Sequence, residues 1–108
     1  MSESMVGQIA VVAGGGSGIG AASARAIAAK GAHVVICDLR IDNAEKIVAE
    51  IKAAGGAASA RLLDATKEAQ VYEVINSIHA EHGAIHAFVN AVGITGPTGI
   101  AAHLLKTE

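Results

Sequence analysis

Short apolar runs alternate along the chain with longer amphipathic stretches. Four runs of five or six residues are mostly apolar, as in strands that are covered on both faces of a sheet. Between them lie three longer stretches with apolar residues at spacings of three and four, the period of a helix packed on one side. The pattern predicts the order β-α-β-α-β-α-β, with strands at residues 8–13, 33–37, 58–63 and 85–90 and helices at about 19–30, 42–54 and 67–82.

The ends of two predicted helices carry their own signals. Asp42 followed by Glu45 resembles a capping box and predicts the start of the second helix. Gly55 and Gly56 predict its end, and Gly83 predicts the end of the third helix. The predicted buried faces are Ile47, Val48 and Ile51 in the second helix and Val71, Val74, Ile75 and Ile78 in the third.

The alternation predicts a doubly wound α/β fold, with a parallel sheet, right-handed crossovers and helices on both faces. Outward winding places the strands in the order 3-2-1-4, with the crevice between strands 1 and 4 as the expected ligand site. The 108 residues are enough for a single domain over 1–108, in which about 98–108 form a tail. We expect the sheet to end at the fourth strand.

A glycine-rich turn links the first strand to the first helix. Residues 13–20 read Ala-Gly-Gly-Gly-Ser-Gly-Ile-Gly. Glycine permits positive φ and a close approach of the backbone to a pyrophosphate, while a helix N-terminus offers unpaired N–H donors. The spacing is Gly14-x-x-x-Gly18-x-Gly20, and the lysine of a P-loop is absent. The turn predicts a nucleotide site, and the alternative is a glycine turn that serves helix packing alone.

The composition argues against nucleic acids and membranes as binding partners. Eight basic against ten acidic side chains give a formal charge of −2, and the only aromatic residues are Tyr72 and Phe88. Nucleic-acid binding therefore lacks its usual charge and stacking groups. No apolar run is long enough to cross a membrane, and the start of the chain lacks the features of a secretion signal. With a single cysteine as well, we expect a cytoplasmic protein without membrane contact.

Histidine and cysteine suggest no metal site. His79, His82 and His86 are close in sequence but have no further ligand at a spacing that would complete a tetrahedral set. Cys37 lies inside a predicted strand and is expected in the core. We predict no bound metal.

The turn and three further segments resemble the short-chain dehydrogenases/reductases, over about residues 5–97. Gly14, Gly18 and Gly20 match the family's glycine pattern, with Ala13 where threonine is usual. Asp38 matches the acidic residue at the end of the second strand. The resemblance implies a Rossmann-like fold in which this carboxylate accepts hydrogen bonds from the adenosine ribose, so NAD(H) is preferred over NADP(H).

Two later segments extend the resemblance. Asp64 and Ala65 match residues that contact adenine in the family, although Asp64 could also be a plain helix-entry carboxylate. Asn90 and Gly93 match the motif beside the nicotinamide ribose, and the alternative is a β-to-loop turn stabilised by Asn hydrogen bonding. The predicted cofactor-binding residues are Gly14, Gly16, Ser17, Gly18, Ile19, Gly20, Asp38, Leu39, Asp64, Ala65, Asn90, Ala91 and Gly93.

The family's catalytic Tyr-x-x-x-Lys pair has no counterpart in these 108 residues. The only tyrosine, Tyr72, is followed four residues later by Asn76. Catalytic residues therefore stay unassigned, and two hypotheses remain. One is an NAD-dependent oxidoreductase acting on an unidentified small molecule, its proton donor supplied by a partner chain, a further segment, or His103 or Lys106. The other is a non-catalytic nucleotide-binding module, either a natural half-length protein or a truncated fragment, that self-associates.

The fourth strand suggests self-association. Residues 85–90 would form an open edge with apolar side chains and neither proline nor lysine. We expect a homodimer or larger oligomer through this edge. The alternative is a monomer in which the tail, residues 100–105, folds back over it.

Overall fold

The computed structural model describes residues 4–16, 18–91 and 103–105. Within them, the predicted alternation of strands and helices is confirmed. No described helix has the length and apolar character to cross a membrane. The elements are β1 Ile9–Ala13, α1 Gly18–Ala29, β2 His33–Asp38, α2 Ile41–Ala53, β3 Ala57–Leu62, α3 Glu68–His82, β4 Ala87–Asn90 and β5 His103–Leu105.

The strands of the described residues form one sheet in the order β3-β2-β1-β4-β5. The first four are parallel, and the predicted order 3-2-1-4 is confirmed. β1 lies in the middle, with Ala13 opposite Cys37 on one side and Asn90 on the other. The order of the strands reverses between β1 and β4, so the carboxyl ends of these two strands define the switch point.

The expectation that the sheet ends at an open fourth strand is wrong. β5 pairs antiparallel with β4, placing Leu104 opposite Val89 and His103 opposite Asn90. The folded-back tail, predicted as the alternative, therefore covers this edge. A segment of the same chain is held near the unpaired N–H and C=O groups at a high effective concentration, so it can occupy them ahead of a second copy.

β4 also begins later than predicted, at Ala87 instead of residue 85. The backbone N–H of His86 donates to Ile9 O at 2.8 Å, while the Ile9 N–H donates to Nδ1 of the His86 ring at 2.9 Å. The imidazole thus takes the place of a backbone carbonyl, and regular pairing of β4 with β1 starts at Ala87, the residue after His86. Ile85 is buried outside the strand.

The start of α2 differs from the capping-box prediction. The helix begins at Ile41, Arg40 is its N-cap without a side-chain hydrogen bond, and Asp42 lies in the first turn. The start of α2 is instead stabilised by the last residue of β2, because the Asp38 carboxylate accepts the Arg40 N–H at 2.8 Å. The ends match prediction: Gly55 has φ 93° directly after the C-cap of α2, and Gly83, with φ 85°, caps α3.

The two faces of the sheet carry separate apolar clusters, because successive side chains of a strand point to opposite faces. α1 and α2 cover one face, and α3 covers the other, as doubly wound folds require. The α1/α2 face holds Val12, Ala21, Ala24, Ala28, Val34, Ile36, Ala44, Ile47, Ile51, Ala58 and Val89. The α3 face holds Val11, Ala13, Val35, Cys37, Leu63, Ile78 and Ile85.

Candidate dinucleotide-binding site

A cleft of about 330 Å³ opens at the carboxyl ends of the parallel strands. It takes residues from the glycine turn, the start of α1 and the segments that follow β2, β3 and β4. This is where the fold's topology places a ligand. The lining residues are Gly14, Gly18, Ile19, Gly20, Asp38, Leu39, Leu63, Asp64, Ala65, Thr66 and Ala91.

The glycine turn brings the start of α1 to this cleft. Gly18 has φ 58° and no atom near the position of a Cβ, so its backbone is left-handed and open. A Cβ on Gly20 would lie 2.0 Å from Gly14 O, which makes glycine necessary for the close contact between helix and turn. The first turn of α1 carries no acidic side chain. Its free N–H groups and partial positive charge therefore suit an anion.

Asp38 forms the acidic wall of the cleft. It ends β2 and is only partly buried. Its Oδ2 accepts the N–H of Gly16 at 2.9 Å, and its Oδ1 accepts the N–H of Arg40 at 2.8 Å. Each carboxylate oxygen has a further lone pair, so the group can still accept hydrogen bonds from a ligand hydroxyl.

Asp64 belongs to a compact turn between β3 and α3. Its Oδ1 accepts the Thr66 hydroxyl at 2.6 Å and the Thr66 N–H at 3.0 Å. These two hydrogen bonds lower the pKa of the Asp64 carboxyl, the one from the Thr66 hydroxyl more than the one from its N–H, and Lys67 adds a smaller effect. The Asp64 N–H donates to Gln70 Oε1 at 3.2 Å, tying the turn to α3. An ionised carboxylate is thus held at the cleft.

Nine of the thirteen predicted site residues line this cleft. Gly16 does not line it, because its N–H is directed to Asp38. Asn90 also stands outside the lining, as the last residue of β4. Ser17 and Gly93 lie outside the described residues. The nine are Gly14, Gly18, Ile19, Gly20, Asp38, Leu39, Asp64, Ala65 and Ala91.

Two lining residues are absent from the predicted set. Leu63 is buried and its N–H donates to Asp38 O at 3.0 Å, so the end of β3 is held against the end of β2. Thr66 lines the cleft through the turn it forms with Asp64. Both flank the predicted pair at 64 and 65 in the segment that joins β3 to α3, and this position was the available signal.

The described part of the chain shows no proton donor of the Tyr-x-x-x-Lys type at the cleft. Tyr72 lies on α3, 63% exposed, and is not a lining residue. Lys106 lies outside the described residues, and only the backbone of His103 is described. Across residues 4–16 and 18–91, no three His, Cys, Asp or Glu side chains are grouped in a way that could hold a metal.

A doubly wound sheet with a glycine turn, a helix N-terminus and an acidic residue ending β2 defines a dinucleotide-binding fold of the Rossmann type. Comparison with known proteins identifies the family. The sequence profile described as short chain dehydrogenase matches residues 8–107. The chain belongs to the short-chain dehydrogenase family.

Individual proteins are similar to this chain in sequence and in structure. The 2,5-dichloro-2,5-cyclohexadiene-1,4-diol dehydrogenase LinX of Sphingobium indicum is 40% identical over 99 residues, which is 92% of this chain and 40% of that relative. The citronellol catabolism dehydrogenase of Pseudomonas aeruginosa superposes with a TM-score of 0.81 at 37% identity, covering 94% of this chain and 43% of that chain. A metagenomic short-chain oxidoreductase in complex with NADP gives a TM-score of 0.76 at 33% identity, over 78% of this chain and 38% of the other. The chain thus spans about 40% of the length of these relatives.

Proposed function

We propose that this chain binds a nicotinamide dinucleotide in the cleft and takes part in hydride transfer between that cofactor and an alcohol or carbonyl substrate. When bound, the nicotinamide ring supplies or accepts the hydride. The observation that carries the proposal is the meeting of Asp38, the glycine turn and the start of α1 in one cleft. The turn and helix would hold the pyrophosphate, and Asp38 would hold the adenosine ribose.

We propose that NAD(H) is preferred over NADP(H). Family membership alone does not choose between them, since one similar structure is a complex with NADP. The choice rests on Asp38, a cleft carboxylate that would face the 2′-phosphate of NADPH. Two close negative charges repel, and no lysine or arginine is among the lining residues of the described chain to compensate. Arg40 contributes its backbone N–H to Asp38.

Titration of the chain with NADH and NADPH, followed by cofactor fluorescence, tests both statements. We expect tighter NADH binding, and Asp38→Ala should narrow the preference. Gly18→Val should abolish binding of both cofactors, because a β-branched residue is strained at φ 58°. Ala26→Val, on the exposed side of α1, is a matched control that should bind normally. NADPH binding that equals or exceeds NADH binding would overturn the role of Asp38.

Turnover is a separate question. Hydride transfer to a carbonyl needs an acid for the developing alkoxide, and such general-acid help is worth about 10²–10⁴ in rate. The 108 residues hold no Tyr-x-x-x-Lys pair. We therefore expect slow or absent NADH oxidation by this chain with simple ketones and aldehydes. That result is expected for the second candidate, a non-catalytic nucleotide-binding module, and equally for an oxidoreductase whose proton donor comes from a partner chain or a further segment. Rapid oxidation lost in Lys106→Ala or His103→Ala would place the donor in the tail.

Self-association stays a prediction. β5 covers the β4 edge within the chain, so a dimer through β4 would require β5 to detach. Light scattering at micromolar concentration tests it, and a monomer would show that the pairing of β5 with β4 prevents association through this edge. The cytoplasmic location and the lack of nucleic-acid partners also stay predictions from the sequence.

A further inference from the structure

We propose that Asp38 has a second role: through the N–H of Gly16 it positions the glycine turn for the diphosphate. This inference rests on the proposed function, since it concerns the same cleft. It makes Asp38 a positioning residue for a part of the ligand that its carboxylate would not touch.

The turn is held to β2 in two different ways. The N–H groups of Gly14 and Gly15 both donate to the backbone carbonyl of Cys37, at 2.7 and 3.2 Å. At Gly16 the partner changes to the side chain of Asp38, at 2.9 Å. The backbone contacts survive any substitution at position 38, whereas the third contact depends on a carboxylate there.

Gly16 is also sterically tied to this arrangement. A Cβ at this position would lie 2.7 Å from Asp38 Oδ2, 2.7 Å from Asn43 Cβ and 3.1 Å from Ala44 N. The turn therefore packs directly against the carboxylate and the first turns of α2. Position 16 requires glycine because a Cβ would collide with Asp38 and α2. Gly16 therefore contacts Asp38 and does not line the cleft.

The consequence concerns the geometry of the free donors. Gly18 and Gly20, just beyond Gly16, line the cleft at the start of α1. Hydrogen bonds to a charged acceptor are stronger than neutral ones, so the contact of Gly16 with Asp38 orders the turn before a ligand arrives. Preorganised donors bind an anion more tightly than donors that must be ordered on binding.

The first experiment measures amide hydrogen exchange by NMR in the chain without ligand. In Asp38→Ala we expect the Gly16 amide to exchange about tenfold faster or more, as for loss of a hydrogen bond to a charged group. The Gly15 amide is the internal control, since its acceptor is the Cys37 carbonyl. Equal acceleration at both glycines would indicate general destabilisation, and no change at Gly16 would show that the hydrogen bond does not order the turn. Either result overturns the proposal.

The second experiment uses ADP and 2′,3′-dideoxy-ADP, which lacks the hydroxyls that Asp38 would accept. If Asp38 acts only on the ribose, Asp38→Ala leaves dideoxy-ADP binding unchanged or strengthens it, because a negative charge beside the diphosphate is removed. If Asp38 positions the turn, the same substitution weakens dideoxy-ADP binding, by about tenfold. Calorimetry measures the affinities.

Asp42→Ala is the charge-matched control. Asp42 is exposed in the first turn of α2 and makes no described contact with the turn, so its removal reports the effect of charge alone. Unchanged or tighter dideoxy-ADP binding in Asp38→Ala would overturn the inference while NADH binding by the unmodified chain still supported the proposed function. If the unmodified chain bound neither NADH nor ADP, the proposed function would fail, and this inference with it.

Discussion

The helices on the two faces of the sheet differ in how many residues they bury against it. On the α1/α2 face, α1 buries only glycine and alanine, which lets the helix lie close to the strands, and α2 buries Ile47 and Ile51. On the other face, α3 contributes Ile78 as its single buried residue. Val71, Val74 and Ile75 are only half-buried against the sheet.

Polar contacts take over where α3 crosses β3. The Arg61 guanidinium donates to Ser77 Oγ at 3.0 Å and forms an ion pair with Glu81. Next to them, the centroid of the His33 ring lies 4.7 Å from that of the His82 ring, with the two planes tilted by 49°.

The α1/α2 face also carries an ion pair, from Arg25 to Glu50 at 2.9 Å, but it is exposed and seven residues of the two helices are buried beside it. The α3 face depends on one fully buried helix side chain, three half-buried ones and a polar network that responds to pH and salt. The comparison shows that a helix can be correctly predicted and still be weakly attached.

Ile78→Ala should have the largest effect on stability. Ile78 is fully buried, and removing such a side chain costs about 2–5 kcal/mol in the free energy of unfolding. Urea denaturation measures this cost. Ile75→Ala, on the half-buried part of the same helix, is the control and should cost clearly less. Equal losses would contradict the idea that one residue dominates the attachment of α3.

The same substitution should expose Cys37. Burial raises the pKa of the Cys37 thiol to about 12, so the native protein should react very slowly with iodoacetamide. Cys37 and Ile78 belong to the same cluster. We expect Ile78→Ala to speed alkylation more than Ile47→Ala, a change in the opposite cluster, when both rates are compared at matched global stability. Similar rates would mean that the thiol is reached only by global unfolding.

The α1/α2 face should instead be sensitive to added volume. Ala24 is fully buried in α1, and Ala24→Leu would force the helix away from the sheet at a cost of about 1–3 kcal/mol. Thermal denaturation measures it, with Ala26→Leu on the exposed side of α1 as the control. A neutral effect of Ala24→Leu would show that this face has unfilled space.

The smallest expected effect is a pH dependence on the α3 face. Burial, and then the neighbouring His82, lower the pKa of His33 below its usual 6.5, despite the opposite influence of Glu81. The folded state therefore favours neutral His33. Its contribution to stability is complete above pH 6.5 and is lost as the pH falls below that value. Unfolding at pH 7.5 and 5.5 should show a smaller difference in His33→Gln than in the wild type. His79→Gln, exposed on α3, should retain the wild-type difference.

Local patterns predicted most of the fold and much of the cleft. The glycine turn was located from its place between a strand and a helix, and Asp38 and Asp64 from the family resemblance. In the folded chain they meet because parallel strands bring their carboxyl ends to one edge. Predictions that needed a distant partner were less successful. The imidazole of His86 delays β4, and the Asp38 carboxylate takes the place of the expected capping box at Asp42. Neither contact is visible as a spacing in the sequence.

The order of elements and the strand order 3-2-1-4 follow from the sequence alone, because apolar periodicity and the handedness of crossovers leave few alternatives. The position of the nucleotide cleft follows from the sequence as well, since glycine spacing is a local requirement of the backbone. Three features emerge from the folded structure alone: β5 covers β4, Gly16 contacts Asp38, and α3 contributes a single buried side chain. These outcomes depend on distances between residues far apart in the chain, and periodicity carries no information about such distances.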